Sequence, residues 1–598
     1  MNNVLILRQL KFKLMKKSLL FVSAVLFSAL SFAQSVVLGI SPAPIQGSYT
    51  HTWADPAGGW GTPDFNIPGT FVQGDLMLVE DGSTGINDQG HPVSQEGCNP
   101  LTNDLTGKIA VIYRNTCEFG EKALNAQTAG AIGVIVINRD PEVIQMGAGA
   151  AGANVTIPAV MLTSFDGATL VNQMATSTVN VFIGNKVGVF ANDVAIRPGG
   201  TLISKSTGVP ALLAQDGTEF NFDIGTQLFN DGSSAQTNIS VNATVTDPSG
   251  NAVYNQTITV ASLASPDSVY LYPGEAQAFP AFSLPTYAPG RYTLTYTVGL
   301  DAANDDYAAD NVITTYFSIN DTIFSYSSLD AVNNLPGGVG GYRPNENNAT
   351  YSICNVISDP NASRIGVQGL YFALVTNAAD SIDLTGEEIA LNLYEWGDNF
   401  VDLNDPNLAF NVLTPVAFGY YYYPSNLEDT IVYGAFEAPY VLENNKRYLA
   451  CAQTVNLSVF FRYDTQINYT TNVNGYLQPL FPVESDGTYS AGGFGSDNAP
   501  SLALRVFDAT SASIAESNIV NAVAYPNPAI DNLSISIEGE GTAELSMTDV
   551  AGRTVLTKSA DLVNGKTDLN IAALNAGVYV VNVVLENGKT AQFNVVKK

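Results

Sequence analysis

Histidine is nearly absent from this chain, which has only His51 and His91 among 598 residues. Neither lies in a His-Glu-x-x-His pattern or in another spacing that supplies zinc ligands. A Ser-His-Asp triad, or a Cys117–His91 pair, would have to use one of these two imidazoles as its base. We therefore predict no catalytic residue and no peptidase chemistry, and interpret both histidines as structural or solvent-facing.

Basic residues are also few. The chain has 25 Lys and Arg against 55 Asp and Glu, a formal net charge of −30, and no basic cluster follows residue 17. A phosphate array would be repelled, so we expect neither nucleic acid nor an anionic membrane surface as a partner. An acidic surface can recruit Ca²⁺, but no segment carries oxygen ligands at the alternating positions of a calcium-binding loop. We predict no metal and no cofactor.

Long apolar runs are missing beyond the N-terminus. Two lysines precede an apolar run from Leu19 to Leu30, which is too short to span a bilayer. Small residues then frame a cleavage position between Ala33 and Gln34. We interpret residues 1–33 as a cleaved export signal, with Met15 as an alternative start, and expect no transmembrane segment.

Cysteine is scarce, and the expected export decides how the four cysteines are interpreted. In an oxidising compartment an even number favours disulfides over free thiols. The sequence permits several pairings, of which local pairing favours Cys98–Cys117 and Cys354–Cys451. Cys117 stands at a predicted helix start, where a thiol can become a nucleophile, but we interpret it as half of a disulfide.

What is present is typical of a mostly β chain, with 46% hydrophobic and 13% charged residues and 52 glycines. Residues 34–187 are the exception. Strands at Lys108–Tyr113 and Ile132–Ile137 flank a helical pattern at Glu118–Ala129, with Gly130 at the helix exit, where a positive φ is common. This pattern predicts one β-α-β crossover.

Short motifs surround this crossover over about residues 75 to 175. They are Gly97-Cys98-Asn99-Pro100, Gly107-Lys108-Ile109-Ala110-Val111-Ile112, Cys117, Lys122-Ala123, Ala129-Gly130-Ala131 and Ile157-Pro158-Ala159-Val160. In this order and spacing they resemble the protease-associated (PA) domain, a small module found in or beside secreted peptidases and sorting receptors. The resemblance implies a lid or ligand-facing module without catalytic residues, which contacts peptides or neighbouring domains.

The middle of the chain alternates between apolar and polar residues. In residues 188–320, alternation at Ile239–Val245 and at Tyr292–Val298 predicts an immunoglobulin-like β-sandwich. Residues 321–512 show strands separated by long Asn-, Asp- and Gly-rich loops, and predict a jelly-roll-like β-sandwich.

The last 80 or so residues, from 516 to 598, carry a second set of motifs. They are Tyr525-Pro526-Asn527-Pro528, the alternating Leu533, Ile535 and Ile537, then Asp549, Gly552-Arg553, Leu574, Gly577-Val578-Tyr579 and Lys597-Lys598. They are similar to the type A C-terminal sorting domain of type IX secretion, a small β-sandwich. The resemblance implies the type IX secretion machinery as a partner and an extracellular or cell-surface location.

Two segments suggest ligand sites. The run Tyr420, Tyr421, Tyr422 and Tyr423 would place two rings on each face of a strand, so that one pair lines a platform for a carbohydrate while the other packs inside. Ordinary core and edge packing is the alternative. Asp398, near Trp396, is a candidate for the paired carboxylates of a glycosidase, although a strand end with a buried Trp also explains it.

These observations predict a mostly β, multidomain exported protein with a small α/β domain near its N-terminus. We expect recognition of a protein or peptide, or adhesion, without catalysis, and with the PA domain providing the contact. The alternative is a carboxylate-dependent glycosidase, or a carbohydrate-binding accessory component of a secreted hydrolase.

Overall fold

The computed structural model describes residues 35–139, 143–301, 304–338, 340–343, 350–376, 382–493, 495–510, 522–537, 541–549, 553–586 and 588–598. The predicted export signal, with its Ala33–Gln34 cleavage position, and Gly552 of the tail motif lie outside these residues. Among the helices described, none is both long enough and apolar enough to cross a membrane.

The N-terminal unit is a mixed eight-stranded sheet with two helices. Its elements are β1 (Ser35–Ser41), β2 (Gly47–Ser48), β3 (His51–Trp53), β4 (Phe71–Leu78), β5 (Ile109–Tyr113), α1 (Phe119–Thr128), β6 (Gly133–Ile137), β7 (Ala159–Leu162), α2 (Ser164–Met174) and β8 (Asn180–Asn185). The strand order is β2-β1-β8-β4-β5-β6-β7-β3, and the pairs β4–β5, β5–β6 and β6–β7 are parallel. The predicted crossover is therefore confirmed as β5-α1-β6, and Gly130 has a φ of +92° just after α1.

Both faces of this sheet are covered, which explains why β5 and β6 are buried along their whole lengths. On one face Ala110 packs with Ala123 of α1. On the other face Ile109 and Val111 pack with Leu170 of α2. Alternate residues of one apolar strand thus contact different helices, since successive side chains point to opposite faces.

The middle of the chain is built almost entirely of strands. Its elements are β9 (Val194–Thr201), β10 (Gly208–Pro210), β11 (Asn221–Phe222), β12 (Thr226–Asn230), β13 (Gln236–Thr246), β14 (Ala252–Leu263), β15 (Ser268–Tyr270), β16 (Phe282–Ser283), β17 (Gly290–Leu300), β18 (Val312–Asn320), β19 (Ile323–Ser325), β20 (Gly340–Tyr342), β21 (Tyr351–Ser358), β22 (Ile365–Phe372), β23 (Leu374–Thr376), β24 (Glu388–Trp396), β25 (Leu413–Tyr422), β26 (Val432–Val441), β27 (Arg447–Thr454), β28 (Val459–Asp464), α3 (Thr470–Tyr476), β29 (Val483–Ser485), β30 (Thr488–Ser490), β31 (Ala499–Pro500) and β32 (Leu502–Asp508).

One nine-stranded sheet runs through this whole region in the order β14-β13-β17-β18-β10-β19-β32-β22-β26. It contains strands from both predicted sandwiches, because β10 of the first pairs with β19 of the second through Gly208 and Ser325. Two separate hydrophobic cores lie along it. One core includes Ile239 and Tyr292, and the other includes Leu391. The two sandwiches therefore share a continuous backbone ladder while each keeps its own core.

The C-terminal unit is a small β-sandwich, as predicted. Its strands are β33 (Ala522–Tyr525), β34 (Asn532–Ile537), β35 (Gly541–Asp549), β36 (Thr554–Leu562), β37 (Lys566–Asn570), β38 (Gly577–Leu585) and β39 (Thr590–Lys597). They form sheets of order β33-β34-β37 and β36-β35-β38-β39. The alternating Leu533, Ile535 and Ile537 all face the shared core. The chain as described is mostly β and multidomain.

Candidate functional site

Three parallel strands of the N-terminal sheet end at the same edge. Arg114 follows β5, Asn138 follows β6 and Ser164 begins the helix after β7. The backbone amide of Arg114 donates to the Ile137 carbonyl at 2.9 Å, and that of Asn138 donates to the Leu162 carbonyl at 2.9 Å. These bonds continue the backbone hydrogen bonding of the sheet past the ends of the strands. They thereby fix the backbone positions from which the Arg114 and Asn138 side chains project. Carboxyl ends of parallel strands are where α/β sheets commonly bind ligands.

A small pocket of about 60 Å³ opens at this edge. One wall is a stacked pair of rings, His91 on Tyr113, with centroids 3.7 Å apart and planes 10° apart. The other side carries Arg114, whose Nη1 donates to Asn138 Oδ1 at 2.7 Å. The same Asn138 oxygen accepts from the backbone amide of Arg139 at 2.9 Å. Asn138 therefore fixes both the Arg114 guanidinium and the turn that follows β6.

Burial lowers the pKa of His91 and raises the pKa of Tyr113. Both effects favour the neutral form of the ring, because burial disfavours charge. The pocket thus combines an uncharged aromatic wall with the Arg114 cation. Such a combination can hold a carboxylate or carbonyl oxygen beside an apolar or aromatic group.

Arg114 and Asn138 are not among the residues predicted from the sequence, and His91 is predicted there to be structural or solvent-facing. The structure places His91 half-buried in the pocket wall. One signal in the sequence could have found the other two residues. Polar residues that directly follow two buried parallel strands are brought together at the sheet edge.

The first disulfide belongs to the same unit and is structural. Cys98 and Cys117 are joined, which is the pairing that local spacing favours, and none of the four cysteines is a free thiol. Next to it, the buried carboxylate of Glu96 accepts hydrogen bonds from Asn87, Asn115 and Thr116. Cys117 is therefore not a nucleophile.

The second disulfide joins Cys354 and Cys451, which face each other on β21 and β27. The remaining histidine, His51, is fixed by its neighbours. Its two ring nitrogens lie 3.2 Å from Ser35 Oγ and 3.0 Å from the Tyr49 carbonyl oxygen, and burial lowers its pKa. His51 therefore holds the start of β1 against β3.

The tyrosine run has the alternation that its sequence predicts. The exposed fractions of Tyr420 and Tyr422 are 51% and 59%, whereas Tyr421 packs against the core and Tyr423 is buried. Asp398 has a structural role, because it accepts from Trp396 Nε1 at 2.8 Å and from the backbone amide of residue 409 at 2.5 Å. Its carboxylate closes the loop after β24.

Several residues of the predicted sorting motif make hydrogen bonds or ion pairs within the C-terminal β-sandwich. Asn527 bonds with β39 through the Asn594 carbonyl and the Val596 amide at 2.9 and 2.8 Å. Arg553, just before β36, pairs with Asp549 at the end of β35. Tyr579 donates to the Asn575 carbonyl at 2.8 Å. β33 ends at Tyr525, and the segment that follows it contains Pro526 and Pro528. Gly577 begins β38.

One group of acids in the described residues has the spacing of a cation site, namely Asp193, Asp231 and Asp310. The ammonium of Lys186 lies among them, at 2.5 Å from Asp193, 3.2 Å from Asp231 and 3.0 Å from Asp310. Arg197 adds a second cation through a two-point bond to Asp231. Side chains of the protein itself therefore balance the charge of this cluster.

The geometry of the N-terminal and C-terminal units agrees with two family models. The model of the PA domain matches residues 57–170, and that of the secretion system C-terminal sorting domain matches residues 523–597. The chain is thus a PA-domain protein with a type IX sorting tail. This tail is handled by the type IX secretion machinery and directs export across the outer membrane to the cell surface or the medium.

Similar proteins share only part of the chain. Signal peptide peptidase-like 2 of Arabidopsis thaliana is 36% identical over 86 residues, 14% of this chain and 16% of that protein. Aminopeptidase YwaD of Bacillus subtilis (strain 168) is 36% identical over 121 residues, 18% of this chain and 27% of that protein. The aminopeptidase structure from Aneurinibacillus sp. strain AM-1 aligns with a TM-score of 0.19 and 21% identity, over 26% of this chain and 30% of that one. The chain therefore spans less than a third of the length of each of these three proteins.

Proposed function

We propose that this exported protein binds a protein or peptide at the strand-end pocket of its PA domain and does not cleave it. The observation that carries the proposal is the pocket made by the His91–Tyr113 ring pair and the Arg114 guanidinium, which Asn138 fixes. Planar guanidinium groups bind carboxylate and carbonyl oxygens with defined geometry.

The size of the pocket limits what part of a partner it takes. A volume of about 60 Å³ admits a single small group. A peptide terminus or one side chain fits this description, with the rest of the partner lying across the sheet edge. The aromatic wall would contact the apolar part of that group while Arg114 binds its oxygen.

A binding role without cleavage is supported by the state of the groups that peptidases commonly use. His91 is stacked on a ring, His51 is held between Ser35 and Tyr49, and every cysteine is in a disulfide. None of these contacts prepares a nucleophile for attack on a peptide bond.

The test uses the mature full-length chain and a bead-displayed random peptide library. We expect enrichment of a peptide motif by the wild-type chain, and a loss of at least about tenfold in affinity for Arg114→Ala, the scale of one good charge-assisted hydrogen bond. Ile67→Ser is the control. Ile67 is exposed and precedes β4, so it lies towards the opposite end of the parallel strands.

Two results would contradict the proposal. One is equal retention of the selected peptide by wild type and Arg114→Ala. The other is cleavage of the library by the wild-type chain, which mass spectrometry of the released peptides would detect.

A further inference from the structure

A much larger cleft, of about 870 Å³, lies between the two middle sandwiches and belongs to neither ligand site predicted from the sequence. One wall comes from β9, β12 and β15 and the segments next to them. The facing wall is the short helix α3, which lies more than 190 residues later in the chain. The volume is in the range of pockets that bind small molecules.

Hydrogen bonds hold the two walls at a fixed separation. The Asn472 side chain of α3 bonds with both the amide and the carbonyl of Ile203, at 3.2 and 2.9 Å. Thr471 donates to the Gly199 carbonyl at 2.5 Å. A cleft held in this way is preformed, so a ligand need not order its walls.

Three tyrosine rings line the cleft. Tyr270 and Tyr272 form a tilted pair on one wall with centroids 5.4 Å apart, and Tyr476 stands on α3. Tyr270 and Tyr476 are 43% and 37% exposed. The Tyr272 hydroxyl donates to the Gly200 carbonyl at 2.7 Å, and the Tyr476 hydroxyl donates to Asp223 Oδ2 at 3.0 Å. The hydroxyl bonds orient the rings, and ring surface faces the cleft.

Planar polar side chains line the same cleft. Asp223, Gln227 and Glu275 all line the cleft. Arg197 also reaches it, but its guanidinium is bonded to Asp231 at two points and covers the Phe229 ring at 3.7 Å. The groups available to a ligand are thus aromatic rings, carboxylates and an amide. The Arg197 guanidinium is instead bonded to Asp231.

We infer that this cleft binds a neutral carbohydrate. A sugar ring presents a C–H face that packs on tyrosine and hydroxyl groups that donate to carboxylate and amide oxygens. Asp223 and Glu275 would repel phosphate, sulfate and uronate groups, as would the net charge of −30. A second ligand class would then bind at a site that shares no residue with the PA pocket.

The test is a glycan array that carries neutral, sulfated and sialylated glycans, probed with the mature full-length chain and followed by calorimetry with the best neutral glycan. We expect binding to neutral glycans, and a loss of about tenfold or more in affinity for Tyr270→Ala and for Tyr476→Ala. Tyr476→Phe keeps the ring and should retain most of the affinity. Tyr316→Ala is the matched control, because that ring is exposed on β18 and does not line the cleft. Tyr420→Ala tests the tyrosine run on β25 as the alternative platform.

Three results would overturn the inference. They are binding to anionic glycans alone, loss of binding in Tyr420→Ala with retention in Tyr270→Ala and Tyr476→Ala, and no binding to any glycan by wild-type protein. Circular dichroism spectra and thermal unfolding of each variant separate a lost ligand from a lost fold. The Arg114→Ala variant should bind the glycan with wild-type affinity. The peptide-binding proposal and the glycan-binding inference are therefore tested independently.

Discussion

Lys122 and Lys186 are both fully buried, yet the protein holds them in opposite ways. In the PA domain the Lys122 ammonium donates to the Glu96 carbonyl at 2.7 Å and lies 3.6 Å from Cys98 Sγ. Burial lowers its pKa to about 8, although Glu96 and two other acids partly oppose this. Lys186 sits among three carboxylates, and although burial opposes its charge, Asp231 and the other two acids raise its pKa.

The difference follows from what each lysine connects. Lys122 belongs to α1 and bonds within one domain, to the turn that carries Cys98. Lys186 directly follows β8 and gathers acids from three separate segments of the next sandwich. A carbonyl needs one donor, whereas three clustered carboxylates need cations. The same residue type at the same burial is therefore a local hydrogen-bond donor in one place and a charge balance between domains in the other.

The largest expected effect is that of Lys186→Met. Removing one partner of a buried ionic cluster leaves uncompensated charge and costs about 3–5 kcal/mol. We expect a loss of this size in the free energy of unfolding, measured by urea denaturation. Lys108→Met is the matched control, because Lys108 pairs with Asp75 at 3.0 Å in a partly exposed ion pair, for which about 0–1 kcal/mol is expected. Similar losses of unfolding free energy in Lys186→Met and Lys108→Met would contradict the expected difference between a buried ionic cluster and an exposed ion pair.

Lys122→Met should cost less, about 1–3 kcal/mol, the scale for leaving a buried carbonyl without its donor. The Glu96 carboxylate keeps its bonds from Asn87, Asn115 and Thr116, so no unpaired charge remains there. The same denaturation series measures this variant. A loss equal to that of Lys186→Met would show that Lys122 also acts as a charge partner.

The smallest expected effect is that of Asp193→Asn. Burial raises the pKa of Asp193 to about 7, against the opposing pull of Lys186, so near neutral pH this carboxyl is already partly protonated. An amide keeps an acceptor for Lys186, as the protonated carboxyl does, and we expect a change within about 1 kcal/mol at pH 4, before the pH-dependent loss of wild-type stability begins. Asp231→Asn is the harsher comparison, since Asp231 bonds both Lys186 and Arg197.

The pH dependence distinguishes these cases. A folded-state pKa of about 7 lies above the ordinary 3.8 of Asp193, so its contribution to stability is complete below about pH 4 and is lost as the pH rises through 7. As the pH rises from about 4 to 7, the unfolding free energy of wild type should therefore fall relative to that of Asp193→Asn. A constant difference across that window would contradict the raised pKa.

Local features of the fold were predictable because their signals are local. The β5-α1-β6 crossover follows from two apolar runs around a helical period, and the alternating Tyr420–Tyr423 faces follow from strand geometry. Export and short spacing suggested Cys98–Cys117. By contrast, the pairing of β19 with β32 joins Ile323 to Arg505. Alternation specifies the faces of a strand but not its neighbours, so this pairing has no signal in the sequence.

The candidate sites show the same division. The order and spacing of short motifs by themselves determined the PA domain, the sorting tail and hence the export route. Only the tertiary structure decided that Asp193, Asp231 and Asp310 converge on Lys186, and that Tyr270 faces Tyr476 across a cleft. The physical reason is that motifs and periodicity act over a few residues, whereas a site is made by side chains that long-range strand pairing and packing bring together.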